Sequence, residues 1–386
     1  MNRIATVDQQ NVDISNVRSL NDFAMASTGG SSRPTNAFDL LRIVAAIMVL
    51  WGHAYSLTGG HPPGWFGNAV GTIGVKIFFV TSGLLITRSW LADPRPLAYA
   101  IRRVLRIMPA LILLVLLTVL VLGPVSTSLP LRDYMLAEST RLYLWNMALY
   151  PVYSLPGVFL GNTYPAAVNG SLWSLPAEVL MYILTPFVVG RSRVGGRMSV
   201  AIFVAVTAVV GIYFVRITTI APVPVFYGTS LASVLEVAVY FQIGTLYAVF
   251  GLERFLRPVF SGVLLVLSAI AIQVVSSTTN AYVVAEILLM VTLPYAVISI
   301  GNVTVGGRLG RVLSMGDVSY GLYLYGFPIQ QIISAAFDGK IGPMANFALT
   351  VPLTFGFALF SWKVVEQRAL RLKPRRAARP AQRTTE

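Results

Sequence analysis

Residues 38–57 read FDLLRIVAAIMVLWGHAYSL, and beyond Asp39, Arg42 and His53 they hold little that a bilayer would reject. An α-helix of about 20 mostly apolar residues spans a hydrocarbon core ~30 Å thick, so this stretch predicts a transmembrane helix. Runs of the same kind recur at about 68–90, 104–124, 171–190, 198–215, 231–250, 259–276, 281–300, 316–336 and 343–363. Gly123-Pro124, Gly190-Arg191 and Gly306-Gly307 are among the breaks between them. Composition agrees: 55% of the 386 residues are hydrophobic and 11% charged, where soluble domains carry roughly 25% charged residues. Mean hydropathy is +0.71. The predicted fold class is an all-α integral membrane protein, a bundle of about ten transmembrane helices with no room for a separate soluble domain.

Charge sets the orientation. With the N-terminus inside, 23 of the 29 Lys and Arg residues fall in cytoplasmic segments and four (Arg132, Arg141, Arg216, Lys340) outside, while Arg42 and Lys76 lie within spans. Cytoplasmic loops carry such an excess, so both termini are expected in the cytoplasm and the protein in the cell inner (plasma) membrane. The net charge of +14 therefore reflects topology, and no nucleic-acid partner is expected. Residues 1–36 lack the apolar core and cleavage site of a signal peptide and read as a disordered cytoplasmic tail; residues 367–386 read as a basic cytoplasmic tail. The longest loop, about 125–170, is external and holds Tyr143, Trp145, Asn146, Tyr150, Tyr153 and Tyr164. It suits a lid or binding surface, or a hairpin resting on the bilayer.

The chain has no cysteine and two histidines, His53 and His61. That excludes disulfides, a thiol nucleophile, cysteine-bound zinc and iron–sulfur clusters, and makes a multi-histidine metal site unexpected. Chemistry must come from ionisable residues in the spans, which are costly there and mark function by default. Arg42 and His53 are eleven residues apart, hence nearly in line on one helix face and ~16 Å apart along its axis. Arg42 lies toward the cytoplasmic end and His53 toward the outer end. Lys76 interrupts the small-residue packing run Gly74-Val75-Lys76-Ile77-Phe78-Phe79-Val80-Thr81-Ser82-Gly83; Glu178 or a bound phosphate is its expected partner. Ser171, Ser174, Glu178 and Tyr182 share one face of a helix begun by Ser171 and the Pro176 turn, with Trp173 beside them. This stripe enters from the outer side at a depth within reach of His53, where a carboxylate would orient an imidazole and raise its basicity. Arg102, Arg103 and Arg106 precede the third span on the side of Arg42, and clustered arginines suit phosphates. Plainer readings stand beside these: snorkelling for Arg42 and Lys76, an interfacial His53, and topology for the arginine cluster.

In order and spacing these residues resemble the acyltransferase 3 family of integral membrane acyltransferases, which O-acetylate surface polysaccharides and some small molecules. The likeness rests on Arg42-x10-His53, the Gly-Val-x-x-Phe-Phe-x-x-Ser-Gly block ending at Gly83, and Arg103-x-x-Arg106-Ile-x-Pro109. Ser171-Leu-Trp-Ser-Leu-x-x-Glu178, Ser319-Tyr320-Gly321-Leu322-Tyr323-Leu324-Tyr325 and Trp362-x-x-Val-Glu366 complete it. The resemblance implies helices around a pore in a membrane domain over 37–366, with acetyl-CoA entering from the cytoplasm as donor substrate and no tightly bound cofactor. It implies a carbohydrate or glycoside acceptor arriving from the periplasm. His53 becomes the main catalytic residue with Glu178 beside it, and Arg42 a donor-binding residue. Lys76, Arg102, Arg103 and Arg106 join the acyl-CoA side of the expected site; Ser82, Ser171, Trp173, Ser174 and Tyr182 join its acceptor or supporting side.

Many members carry a histidine before the x-Pro of the ninth span, where this chain has Gly326-Phe327-Pro328. No fused periplasmic hydrolase-like domain is expected either. Ten helices with intramembrane Arg, Lys, His and Glu also describe secondary transporters. Against that reading, the two halves show no convincing similarity and the polar residues crowd the first four spans.

Overall fold

The computed structural model describes residues 35–165, 167–217, 224–275, 281–307, 310 and 317–374. Most of the two expected tails, and Arg308 and Arg311, lie outside them. Ten long helices stand at the ten predicted positions: α1 (Phe38–Leu57), α2 (Val70–Ala92), α3 (Pro96–Leu117), α6 (Ser174–Val189), α7 (Arg193–Ile217), α8 (Leu231–Phe250), α9 (Pro258–Val275), α10 (Ala281–Gly301), α11 (Ser319–Ala336) and α12 (Pro343–Ser361). Two short helices, α4 (Leu131–Leu136) and α5 (Glu138–Tyr143), belong to the long loop. Eight of the long helices are long and apolar enough to cross a membrane. The apolar part of α9, Pro258–Val274, is shorter, and α11 is too polar. The chain is thus a multi-pass, all-α membrane protein.

The polarity of α11 follows from where it sits. Fourteen of its 18 residues are buried, so it meets protein rather than lipid, and its side-chain amides bond to neighbouring elements, Gln330 Oε1 alone of their atoms having no partner among the described residues. Gln330 Nε2 donates to the Leu50 carbonyl at 2.9 Å and Gln331 Oε1 accepts from Asn162 Nδ2 at 2.8 Å. Helix α2 is similarly central, 72% of its spanning window being buried against 17% for α7 on the rim.

Two boundaries differ from expectation. Helix α3 begins at Pro96, not near 104, because proline fits the first helical position, where its missing N–H is not needed. It continues through a π-helical turn, Thr118–Leu122, to Ser126, 31 residues in all. Arg102, Arg103 and Arg106 therefore lie within this helix instead of preceding it. Helix α6 is entered through a 3₁₀ turn, Gly170–Trp173, capped by Asn169, whose side-chain oxygen accepts from the Ser171 N–H at 3.0 Å. Asn169, and not a serine of the stripe, is the cap.

Helices α2 and α8 are launched by matching hairpins, Gly64–Trp65 with Asn68–Ala69 and Val225–Phe226 with Thr229–Ser230. Their turns, Phe66-Gly67 (φ 50° and 72°) and Tyr227-Gly228 (φ 46° and 72°), have positive φ at both central residues, the signature of the type I′ turn that matches strand twist. The two helices then run side by side in intimate contact. A Cβ on Gly83 would stand 1.8 Å from the Phe241 carbonyl oxygen, and one on Gly244 2.3 Å from that of Val80. A third pair, Thr35–Asn36 with Thr304–Val305, ties the start of α1 to the end of α10.

The long loop is a folded cap rather than a loose lid or a plain hairpin. Tyr134 and Tyr143 are fully buried, and the Tyr134 hydroxyl donates to the Val119 carbonyl at 2.9 Å. Asn146 donates to the Tyr143 and Val152 carbonyls at 2.8 and 2.9 Å and accepts from the Val152 N–H. Trp145, Tyr150 and Tyr164 are exposed.

Candidate active site

Helices α1, α2, α3, α6 and α11 enclose a cavity of about 50 Å³ lined by Arg42, Phe78, Arg106, Ser174, Glu178, Tyr182, Tyr320 and Tyr323, among others. The Glu178 carboxylate is fixed here by two donors, Ser82 Oγ at 3.1 Å and the Tyr182 hydroxyl one turn along α6. Ser174 shares a 2.6 Å hydrogen bond with the Tyr323 hydroxyl, which also reaches the Ser171 carbonyl at 3.0 Å. Five of the expected residues (Arg42, Arg106, Ser174, Glu178 and Tyr182) thus line one chamber, with Ser82 bonded to its carboxylate. Trp173 stands apart: its carbonyl accepts from Thr229 Oγ1 at 3.1 Å and anchors the second hairpin.

Arg42 and Arg106 converge on one carboxylate oxygen of Asp317, which sits just ahead of α11. Burial opposes ionisation of this carboxyl, but Arg106, Arg42 and the Ser319 hydroxyl outweigh it and hold its pKa down at about 2. Arg106 is sandwiched between the rings of Tyr320 and Trp362, 5.6 and 5.8 Å from its guanidinium carbon, and lies 3.8 Å from the buried Glu366. The chamber thus has a cationic wall facing the Glu178 side. Sequence reasoning missed Asp317 and gave Tyr320, Tyr323 and Glu366 no role. Their signal was present: a Tyr-rich stretch and a glutamate inside apolar runs.

His53 lies elsewhere. Its ring meets the edge of Phe327 at 5.1 Å, Phe327 in turn covers Gly170, and His53 Nδ1 is buried with no hydrogen-bond partner among the described residues. The imidazole is therefore level with the start of α6, whereas Glu178 lies two turns further along, level with Arg42. No hydrogen bond joins His53 to Glu178. Next to it, Gly326 has no space for a side chain: a Cβ would stand 2.0 Å from Leu50 Cδ2, so Leu50 fills the volume a histidine would need.

Two expected donor-binding residues are corrected. Lys76 is fully buried and committed to other partners, Glu286 at 2.7 Å, Glu236 at 3.0 Å and Asn68 Oδ1 at 2.7 Å, over the Tyr240 ring. A lysine cannot stay charged in that interior without such carboxylates, which α8 and α10 supply; it neither reaches Glu178 nor lines the chamber. Arg102 is likewise paired with a carboxylate, Asp93 at 2.8 Å, which ties the start of α3 to the end of α2. Hydrogen bonds from Arg95 and Arg102 hold the Asp93 carboxyl well below the usual carboxylate range. Arg103 differs from both neighbours, since no described carboxylate lies within ion-pair distance of it; it rests against the rings of Tyr99 and Tyr182.

Comparison with known proteins bears on this arrangement. The family described as an acyltransferase domain matches residues 35–363. An O-acetyl transferase of Shigella phage Sf6 is 28% identical over 87% of this chain and 96% of its own length. Nodulation protein 10 of Rhizobium leguminosarum bv. viciae is 27% identical over 90% of this chain and 97% of its own. No solved structure matches.

Proposed function

The chain belongs to the acyltransferase 3 family, and from that premise and the chamber's geometry we propose that it transfers an acetyl or other short acyl group from cytoplasmic acyl-CoA to a hydroxyl of an extracytoplasmic carbohydrate. The observation that carries the proposal is the buried chamber itself. It brings a doubly hydrogen-bonded carboxylate, Glu178, to face two guanidiniums in the middle of the bundle, on the level of Arg42 and three turns below His53. Ten crossings with both termini in the cytoplasm accord with the ten helices and the charge asymmetry.

In this mechanism Arg42 and Arg106 receive the donor from the cytoplasmic side, and the thin pantetheine arm follows the α1 face toward His53. The ~16 Å between these two residues is then the path of the thioester. The acceptor hydroxyl oxygen bonds to the acyl carbon and the carbon–sulfur bond breaks. Its proton passes through His53 to the departing thiolate, giving an ester and a free thiol. Attack by His53 on the thioester, with an acyl-imidazole between, balances equally well. Glu178 acts from the chamber, with Ser82 and Tyr182 fixing its orientation, rather than through a direct bond to His53.

The test compares wild type, His53→Ala and Glu178→Gln at equal membrane levels in a host lacking the gene, with O-acetyl esters on surface glycans read by NMR. Ester in wild type and its loss in His53→Ala supports the reading. Equal ester in both removes His53 from the mechanism.

A further inference from the structure

A groove of about 540 Å³, larger than the chamber, lies between α3 and α6, on an apolar outer face of the bundle. Its walls are apolar: Val104 and Ile183 are 54% and 56% exposed there and Phe187 79%. Leu149, from the folded cap, closes one end and Arg191 stands at the other. From Pro96 to Ile107 the groove follows twelve residues of α3, ~16 Å from first to last, about the depth of one leaflet of a ~30 Å hydrocarbon core.

Besides Arg191 at its end, the groove has one charge along its wall. Arg103 is the arginine of its cluster without a described carboxylate partner, and its Nε is buried with no hydrogen bond. Helix side chains lean toward the N-terminus, and Arg103 accordingly lies against Tyr99, on the Arg191 side. An unpaired guanidinium in an apolar, lipid-facing groove calls for an anion that carries its own hydrocarbon. We propose that the groove seats one anionic phospholipid, its phosphate on Arg103 and an acyl chain along Val104, Ile183 and Val179 toward Leu149. Tyr182 and Ile107 line both the groove and the chamber. The seated lipid therefore braces Tyr182, the side chain that holds Glu178.

Native mass spectrometry of the purified full chain tests this independently of any transfer activity. The protein is equilibrated in detergent with equal amounts of phosphatidylglycerol and phosphatidylcholine bearing the same chains. Wild type should retain one phosphatidylglycerol in roughly tenfold preference, because the choline cation of phosphatidylcholine competes with Arg103 for its own phosphate and leaves that lipid without net charge. Arg103→Lys should keep the preference and Arg103→Gln abolish it. Ile183→Trp, which fills the groove from a lipid-facing position and leaves Arg103 in place, should lose both lipids. Equal retention of the two lipids by wild type overturns the proposal, as does a preference that survives Arg103→Gln and Ile183→Trp. Displacement of the lipid by coenzyme A or by inorganic phosphate at millimolar concentration also overturns it, because Arg103 would then belong to a soluble anion.

Discussion

Replacing Gly83 by alanine puts the contact between α2 and α8 to a quantitative test. The new methyl would lie 1.8 Å from the Phe241 carbonyl oxygen, and ordinary contact begins at 3.4 Å, so the interface must open by about 1.6 Å. The obstacle is main chain, which no rotamer change removes. The same interface carries the Thr87–Thr245 hydrogen bond at 3.0 Å and the Lys76–Glu236 pair at 3.0 Å, while Ser82, next in sequence, holds Glu178. Overpacking of this kind costs ~1–3 kcal/mol and a lost buried hydrogen bond ~1 kcal/mol more. The expected destabilisation is thus ~2–4 kcal/mol, with ester formation reduced through the displaced Ser82. Gly262 in α9, where an added Cβ meets nothing within 4 Å, is the control; alanine there should be neutral or slightly stabilising. Both variants are scored by unfolding in detergent and by glycan ester content. If Gly83→Ala matches Gly262→Ala in both readouts, the close approach of α2 and α8 does not hold the site as argued.

Three further perturbations address other parts of the molecule. Lys76→Met leaves the buried Glu286 and the half-buried Glu236 without their cation and should cost ~3–5 kcal/mol of stability, measured by detergent unfolding; normal stability with weaker donor binding would instead return Lys76 to the donor site. Asp317→Asn should lose stability on the order of 2 kcal/mol at neutral pH, from a carboxyl held near pKa 2 against an ordinary 3.8. Because its folded pKa is depressed, that contribution is fully present above about pH 5 and fades as pH falls toward 2. Unfolding followed from pH 7 to 3 should show the gap narrowing only below about pH 5 and still open at pH 3, and a gap that closes already by pH 6 contradicts the assignment. Gly326→His alone should be destabilised by collision with Leu50, while Leu50→Ala combined with it should recover much of the loss by trading a cavity of ~2–5 kcal/mol for a filled one; a double variant no more stable than Gly326→His counts against Leu50 as the occupant of that space.

The ten helices were legible because hydropathy is a local property: twenty apolar residues announce a span whatever surrounds them. The start of α3 was legible too, in Pro96, but arginines read as loop residues conceal it. The partners of the charged groups were not readable from spacing. Arg42 meets Asp317 from 275 positions away, and Lys76 meets Glu286 from 210. Glu236 and Glu286 did offer a hint, as carboxylates stranded in apolar runs that a buried lysine would require. The expected His53–Glu178 pair failed for a geometric reason: Gly170 and not Glu178 is level with Phe327 and the imidazole, and α6 carries its carboxylate two turns deeper. The matching hairpins were visible as Trp65-Phe66-Gly67-Asn68 and Phe226-Tyr227-Gly228-Thr229, a likeness between the halves that hydropathy does not weigh.

The small size of the chamber has an electrical consequence. On the proposed function the bundle admits one reactant from each side of the membrane and risks a conductive path between them, and each elementary charge crossing 100 mV dissipates about 2.3 kcal/mol. At about 50 Å³ the chamber is small beside the 540 Å³ groove, with room for a few water molecules and no wide aqueous channel. Its walls oppose leakage in both senses, since Arg42 and Arg106 repel cations and the Glu178 carboxylate repels anions. The charged constriction at the chamber stands where a conductive path between the two sides would have to run.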